Sequence, residues 1–240
     1  LHNMEQEEKS VTLDFSAEAW QLDDKEKEIP KVVKKAVKAI ATGTYQAAPG
    51  VSEAEIRYVL GDEAVLWSEY SSVVYRLTGT IRENKEVAEC FAGLREFKAN
   101  EHHFLINGTR TFLRGKHDGL IFPKTGAAPT DLDEWLRVMN ISRSYGMNHY
   151  RYHTCCPPKN AFLAADLLGI YMEPQLPFWG TLAAPGEEGY REEEETFLIE
   201  EGFRMMKSYG NHPSYCMMSL GNELWGSAAR MGEIIRGFKE

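Results

Sequence analysis

Massed positive charge is what this 240-residue sequence most clearly lacks. Its 27 Lys and Arg face 36 Asp and Glu, a formal net charge of −9. A nucleic-acid surface needs clustered cations to displace counterions from phosphate, so that class of partner is excluded and a neutral or weakly charged ligand fits better. Long apolar runs are missing too. Nowhere do about 18 apolar residues follow one another, as a membrane-spanning helix requires. Cysteine is scarce: Cys90, Cys155, Cys156 and Cys216 are too few for a disulfide-stapled domain, and two of them are adjacent. No C-x-x-C pair offers zinc ligands, so all four read as buried or incidental thiols. The opening LHNMEQEEKS has neither an initiator Met nor a charged-then-apolar leader. A mature form or a piece of something longer is expected, with a periplasmic or extracellular setting favoured over a cytoplasmic one.

What is present suffices for a sizeable core, since 43% of residues are hydrophobic and 26% charged. The first ninety-odd residues read as strands. VTLDFSAEAW (11–20) alternates Val11, Leu13 and Phe15 with polar partners, and SSVVYRLTGTIREN (71–84) alternates less strictly before a polar turn. Short alternating runs punctuated by stretches such as AAPG (47–50) predict an antiparallel β-sandwich. KEIPKVVKKAVKAIATG (27–43) fits a helix by the spacing of Val33, Val37 and Ile40, and a strand equally well by its β-branched content.

A different rhythm begins near residue 97. HFLINGTRTFL (103–113) reads as a hairpin, because Asn107-Gly108 tolerates the positive φ angles of a type I′ turn. Asn107-Gly108-Thr109 is also a glycosylation sequon, although the turn accounts for it. Strand and helix patterns then alternate: strand 111–117, helix 130–146 with a capping box from Thr130 and Asp133, strand 148–153, helix 157–169, strand 170–175, helix 189–210, strand 215–223 and a helix from 227. Four β–α units imply a parallel sheet covered by helices. Polar residues follow the carboxyl end of every strand: His117 and Asp118, Arg151 and His153, Glu173 and Gln175, Asn222 and Glu223. A (β/α)8 TIM barrel gathers residues from many strand ends around one mouth. An open doubly wound sheet instead uses a glycine-rich phosphate loop, which is absent after the first strand. The expected α/β architecture is therefore the first four units of a TIM barrel (98–240) behind a β-sandwich (1–97).

Glu223 is the expected centre of the chemistry. Alternation along 215–223 places it on one face with Gly221, Ser219 and Met217, and a strand-end glutamate at a barrel mouth can serve as a general acid. Asn222 beside it can donate to and accept from a sugar hydroxyl. Arg151 shares a strand face with His149 and His153, and a cation pointing into a barrel must be paired or in use. A metal on His149 and His153 is disfavoured, because spacing of four aligns ligands on a helix and this segment reads as a strand. Trp179 and Trp225, just past strand ends, can stack on the apolar face of a pyranose. The glutamates of 187–201 read as a solvated helix face.

These segments together resemble glycoside hydrolase family 2. FLRGKHDG resembles the family's first barrel strand, NHYRYHTCCPP the second, and AADLLGIYMEPQLPFWG the helix and strand that follow. YGNHPSYCMMSLGNELWG resembles its acid/base segment, and GDEAVLWSEYSSVVYRLTGTI the end of its immunoglobulin-like sandwich. Two departures are visible: His153 follows Arg151 by two positions where the family has three, and Pro174-Gln175 stands where the third strand ends in a carboxylate. The resemblance implies a retaining β-glycosidase acting on a carbohydrate, with Glu223 as acid/base, and His117, Asp118, Arg151, His153, Asn222, Trp179 and Trp225 around the substrate. It implies no cofactor and no metal. The nucleophile would lie on a seventh strand outside these residues, leaving this stretch inactive alone. Unpaired strand edges of a half barrel would favour self-association or a homo-oligomer. Two other readings stay open: an endo-acting barrel glycanase, and a carbohydrate-binding protein without catalysis.

Overall fold

A computed structural model describes residues 1–27, 30–37, 40–62 and 64–240. The amino-terminal part is built on strand β2 (Lys9–Leu22), following a two-residue β1 (His2–Asn3) that pairs with β5 (Gly50–Val51). Against one edge of β2 lie β3 (Val32–Ala36) and β4 (Ala41–Ala47) end to end; against the other lies β6 (Val74–Ile81), followed by β7 (Val87–Ala92), all antiparallel. Within the ambiguous 27–43 segment, β3 and the start of β4 are strands, as β-branched residues on a pleated surface favour. Positions 28, 29, 38 and 39 of it lie outside the described residues. A three-stranded meander follows, formed by β8 (Phe97–Ala99), β9 (Phe104–Ile106) and β10 (Thr109–Thr111). Its turn has the expected positive φ angles, 50° at Asn107 and 76° at Gly108. The Asn107 side chain is engaged on both sides, donating to Trp67 O and accepting from Glu96 N.

Beyond residue 114 the chain alternates. Strand β11 (Gly115–Asp118), helix α1 (Leu132–Ser144), β12 (His149–Tyr152), helix α2 (Lys159–Leu168) and β13 (Tyr171–Glu173) give a parallel sheet in the order β11-β12-β13. Strand β14 (Trp179–Leu182), helix α3 (Glu192–Tyr209), strand β15 (Asn222–Gly226) and helix α4 (Ala228–Gly237) complete it, with β14 and β15 parallel. The molecule is thus mixed α/β with four helices, and no sheet closes among the described residues. No described helix is long and apolar enough to cross a membrane.

Three local expectations change. The cap of α1 is Asp131, whose carboxylate accepts from Glu134 N at 2.8 Å, and not Thr130. Segment 215–223 is not one regular strand: Tyr215 bridges Met172 of β13 and Ser219 bridges Gln175 just beyond it, after which the chain turns at Gly221 to enter β15. The glutamates of α3 are not all solvated either. Glu195 is buried and accepts from Arg230 Nη2 at 2.6 Å and Nε at 2.9 Å, a bidentate pair that ties α3 to α4 and holds the Glu195 carboxyl below its usual range.

One apolar cluster spans both halves of the chain, joining Leu22, Trp67 and Val74 to Trp135, Tyr150, Phe162 and Tyr171. The end of α2 shows how. A helix leaves its last four carbonyls without partners. Here Ala165 O accepts from Gly169 N and Ile170 N, Asp166 O from Trp67 Nε1 at 2.7 Å, Leu167 O from Ser72 Oγ at 2.7 Å, and Leu168 O from Lys25 Nζ at 3.4 Å. Three of the four are therefore satisfied by the amino-terminal residues. Gly169 permits this approach: its φ is +79°, and a Cβ there would lie 2.6 Å from Glu69 O. Gly169→Ala is expected to lose at least about 1–3 kcal/mol, the usual cost of a left-handed non-glycine residue before any clash is added. A lowered urea midpoint would show it, and an unchanged midpoint would mean that the 66–72 segment gives way without cost.

Candidate active site

Strand register decides which side chains meet. Gly115 pairs with His149 and His149 with Tyr171; one step on, His117 pairs with Arg151 and Arg151 with Glu173. Residues paired in a parallel sheet point to the same face, so His117, Arg151 and Glu173 form one row at the carboxyl ends, with His149 in the row beneath. His149 is buried, and a Cβ on Gly115 would sit 2.8 Å from its Nδ1, so glycine is what makes room for the ring.

Glu173 is the most heavily engaged carboxylate of the row. Its Oε1 accepts from Ser219 Oγ at 2.6 Å, and its Oε2 lies 3.2 Å from His149 Nε2. That second contact is at ion-pair distance but poorly aligned, leaving His149 Nε2 without a proper hydrogen bond. Burial pushes the Glu173 carboxyl upward, yet the nearby His149, the Ser219 hydroxyl and the Arg151 guanidinium outweigh it and hold the carboxyl below its usual range. Arg151 Nη2 donates to Asn222 Oδ1 at 2.7 Å, which links the second strand end to the fourth.

The remaining expected residues divide. His117, His153 and Trp179 make a ring cluster, with His117 and His153 centroids 5.1 Å apart and the Trp179 ring set edgewise to His153 at 5.5 Å. Trp179 and Trp225 are 62% and 67% exposed, so both present ring surface to solvent. Asp118 is not brought to this row. It lies on the opposite face with Lys116, whose Nζ donates to Asp118 Oδ2 at 3.0 Å, and its Oδ1 accepts from Leu120 N. Alternation along β11 put it there, one residue past His117.

Glu223 itself is exposed, and its backbone is not that of a regular strand. Between the pairs Trp179–Asn222 and Thr181–Trp225 the register shifts, so that β15 carries one residue more than β14. Glu223 sits in this bulge with φ +46°, a left-handed conformation that costs a non-glycine residue free energy and recurs at functional sites. Gly221 before it has φ +148° and passes so close that a Cβ would lie 2.2 Å from Phe178 O.

Sequence reading missed three supports. Gln175 is buried, with Oε1 accepting from Thr154 N at 3.0 Å and its own N–H donating to Cys155 O. Thr154 takes φ +53°, and Ser219 holds Glu173. Strand β14 was also missed, because WGTL is too short to show a period. Beside Trp179, a cleft of about 360 Å³ opens between β14 and the start of α3, lined by Phe178, Thr181, Tyr190 and Arg191. Burial pushes the thiols that follow His153 upward, Cys155 to about 11 and Cys156 to about 12, which favours the protonated form. Among the described residues no group of three His, Cys, Asp or Glu could hold a metal.

No family model matches the sequence. The structure is more telling. It superposes on a glycosyl hydrolase family 2 member from Bacteroides cellulosilyticus with a TM-score of 0.64 and 17% identity, over 97% of this chain and 29% of that one. The fold is similar to that of a part of this glycoside hydrolase family 2 chain. The family 2 β-galacturonidase of Eisenbergiella tayi, solved with galacturonate, matches over 99% of this chain and 40% of its own with a TM-score of 0.65 and 15% identity. Among curated proteins, one from Formosa agariphila named "Putative beta-glucuronidase" is 27% identical over 164 residues, 67% of this chain and 19% of that protein. This family 2-like chain therefore spans about a fifth of the curated relative and well under half of either solved chain.

Proposed function

We propose that these residues form the acid/base half of a retaining β-glycosidase, with residues 1–97 as its immunoglobulin-like sandwich and 98–240 as the first half of its TIM barrel. The observation that carries this reading is the row His117, Arg151 and Glu173 at the carboxyl ends of adjacent parallel strands, with Arg151 hydrogen-bonded to Asn222, the residue before Glu223, in a fold similar to that of family 2 chains. Glu223 protonates the glycosidic oxygen as the bond breaks, then removes a proton from the attacking water. A second carboxylate, about 5 Å from it, attacks the anomeric carbon and is supplied by length of the relatives that this chain does not span. Asn222 and Arg151 contact glycone hydroxyls, His117 and His153 line the site, and Trp179 and Trp225 offer stacking surfaces for the sugar rings.

A uronide is the favoured glycone, since the relatives above include a β-galacturonidase and a protein named for β-glucuronidase activity, and three histidines and an arginine border the row. A protein that contains this chain together with the rest of such a barrel is expected to release 4-nitrophenol from β-glucuronide or β-galacturonide substrates faster than from β-galactoside or β-mannoside. The first-formed sugar should have the β configuration by proton NMR. Faster cleavage of the neutral glycosides would remove the uronide; binding of oligosaccharide without any turnover would favour the non-catalytic reading.

A further inference from the structure

Glu173 has no part in the proton transfers above, yet it is the best-anchored carboxylate at the mouth. Resting on the reading just given, we propose that Glu173 is a positioning residue that acts through Arg151 to fix the side-chain amide of Asn222 as a hydrogen-bond donor to substrate.

The geometry runs in one direction. Ser219 Oγ donates to one oxygen of Glu173 at 2.6 Å, and the buried His149 stands with Nε2 3.2 Å from the other. His149 is in turn packed over Gly115, where only glycine leaves room. Glu173 pairs in register with Arg151, so their side chains leave the same face of adjacent strands and the carboxylate lies within the field of the guanidinium. An anion beside Arg151 offsets the cost of keeping that cation half-buried at a strand end. Arg151 can only donate, and Asn222 presents its Oδ1 to it at 2.7 Å. The amide orientation of Asn222 is thereby set. With Oδ1 occupied, Nδ2 is left to donate, and a donor next to the proton-transfer residue is what a hydroxyl or a developing negative charge on the sugar requires. Asn222 is buried, so a flipped amide would face Arg151 with its NH2 group, donor against donor.

Glu173→Gln keeps the shape and removes the charge. In a catalytically competent protein containing this chain it is expected to lower kcat/KM about 10²-fold, the scale of a misplaced contact. The loss should be equal for 4-nitrophenyl and 2,4-dinitrophenyl glycosides, because a glycone contact serves both, and azide should not restore turnover. Glu173→Asp should recover part of the rate. Ser219→Ala, which removes one donor to Glu173, is the milder variant and should fall about tenfold if the same linkage operates. A loss confined to the poorer leaving group and relieved by azide would make Glu173 the proton donor and overturn the proposal, as would unchanged kcat/KM with only a lowered melting temperature. A second readout needs no activity. In the 240-residue chain, the Asn222 side-chain amide proton signals should shift in Glu173→Gln, and signals identical to the parent's would overturn the linkage even if every glycoside were refused.

Discussion

Glu223→Ala slows hydrolysis of a 4-nitrophenyl β-glycoside by about two to four orders of magnitude, the usual contribution of one positioned proton donor, while a 2,4-dinitrophenyl glycoside loses far less in its first step. This is the expected result if Glu223, exposed in the β15 bulge with φ +46°, is the acid/base residue of the proposed reaction. A dinitrophenolate departs without protonation, so its glycosyl-enzyme forms and then accumulates, because no base activates water. Azide needs no such base. Added to the variant, it should attack the intermediate and release a β-glycosyl azide, restoring turnover with retained configuration. Equal losses for both leaving groups, with no azide product, would remove Glu223 from this role and advance the carbohydrate-binding reading.

Asp166→Ala is expected to be strongly destabilising. Asp166 is fully buried on α2, with Oδ2 2.5 Å from His212 Nδ1 and Oδ1 accepting from Ser214 N at 2.9 Å, while its backbone carbonyl takes the Trp67 indole N–H. His212 and Ser214 are buried as well. Alanine leaves a buried imidazole and a buried backbone N–H without partners, at a cost of about 3–5 kcal/mol for a broken buried pair. The loop 210–216 would lose its tether to α2, and with it the segment that brings Ser219 to Glu173 and Asn222 to Arg151. Urea unfolding should show the shift. Asp166→Asn, which keeps one acceptor oxygen, should cost less; equal midpoints for Asp166→Ala and the parent would mean that the pair contributes nothing net.

Much of the fold was legible because its signals are local. The φ-positive Asn107-Gly108 turn, the apolar stripe Trp135, Leu136 and Met139 on α1, and Gly169 as the left-handed end of α2 each follow from residues within one or two turns of chain. The strand ends carrying His117, Arg151, Glu173 and Asn222-Glu223 could be found because polar residues interrupt apolar runs at regular intervals. The 27–43 segment could not be settled locally, as β-branched residues at helical spacing satisfy both periods. Pairing along β2 decided it.

Local signals, then, carried most of the element order and the chemical types near the strand ends, since hydrophobic period, capping and turn residues act over a few positions, whereas the short β14 and the break in 215–223 left no such signal. Tertiary structure decided which of those residues meet. A register one residue different would have put Asp118 in the row and His117 outside it, because successive strand residues face opposite ways. The tethers of Glu173 to Ser219 and His149, of Arg151 to Asn222, and of Asp166 to His212 join positions 24 to 71 residues apart. No local period encodes such separations; they come into being only when helices and strands pack, and the bulge that holds Glu223 at φ +46° appears only where β15 pairs with β14.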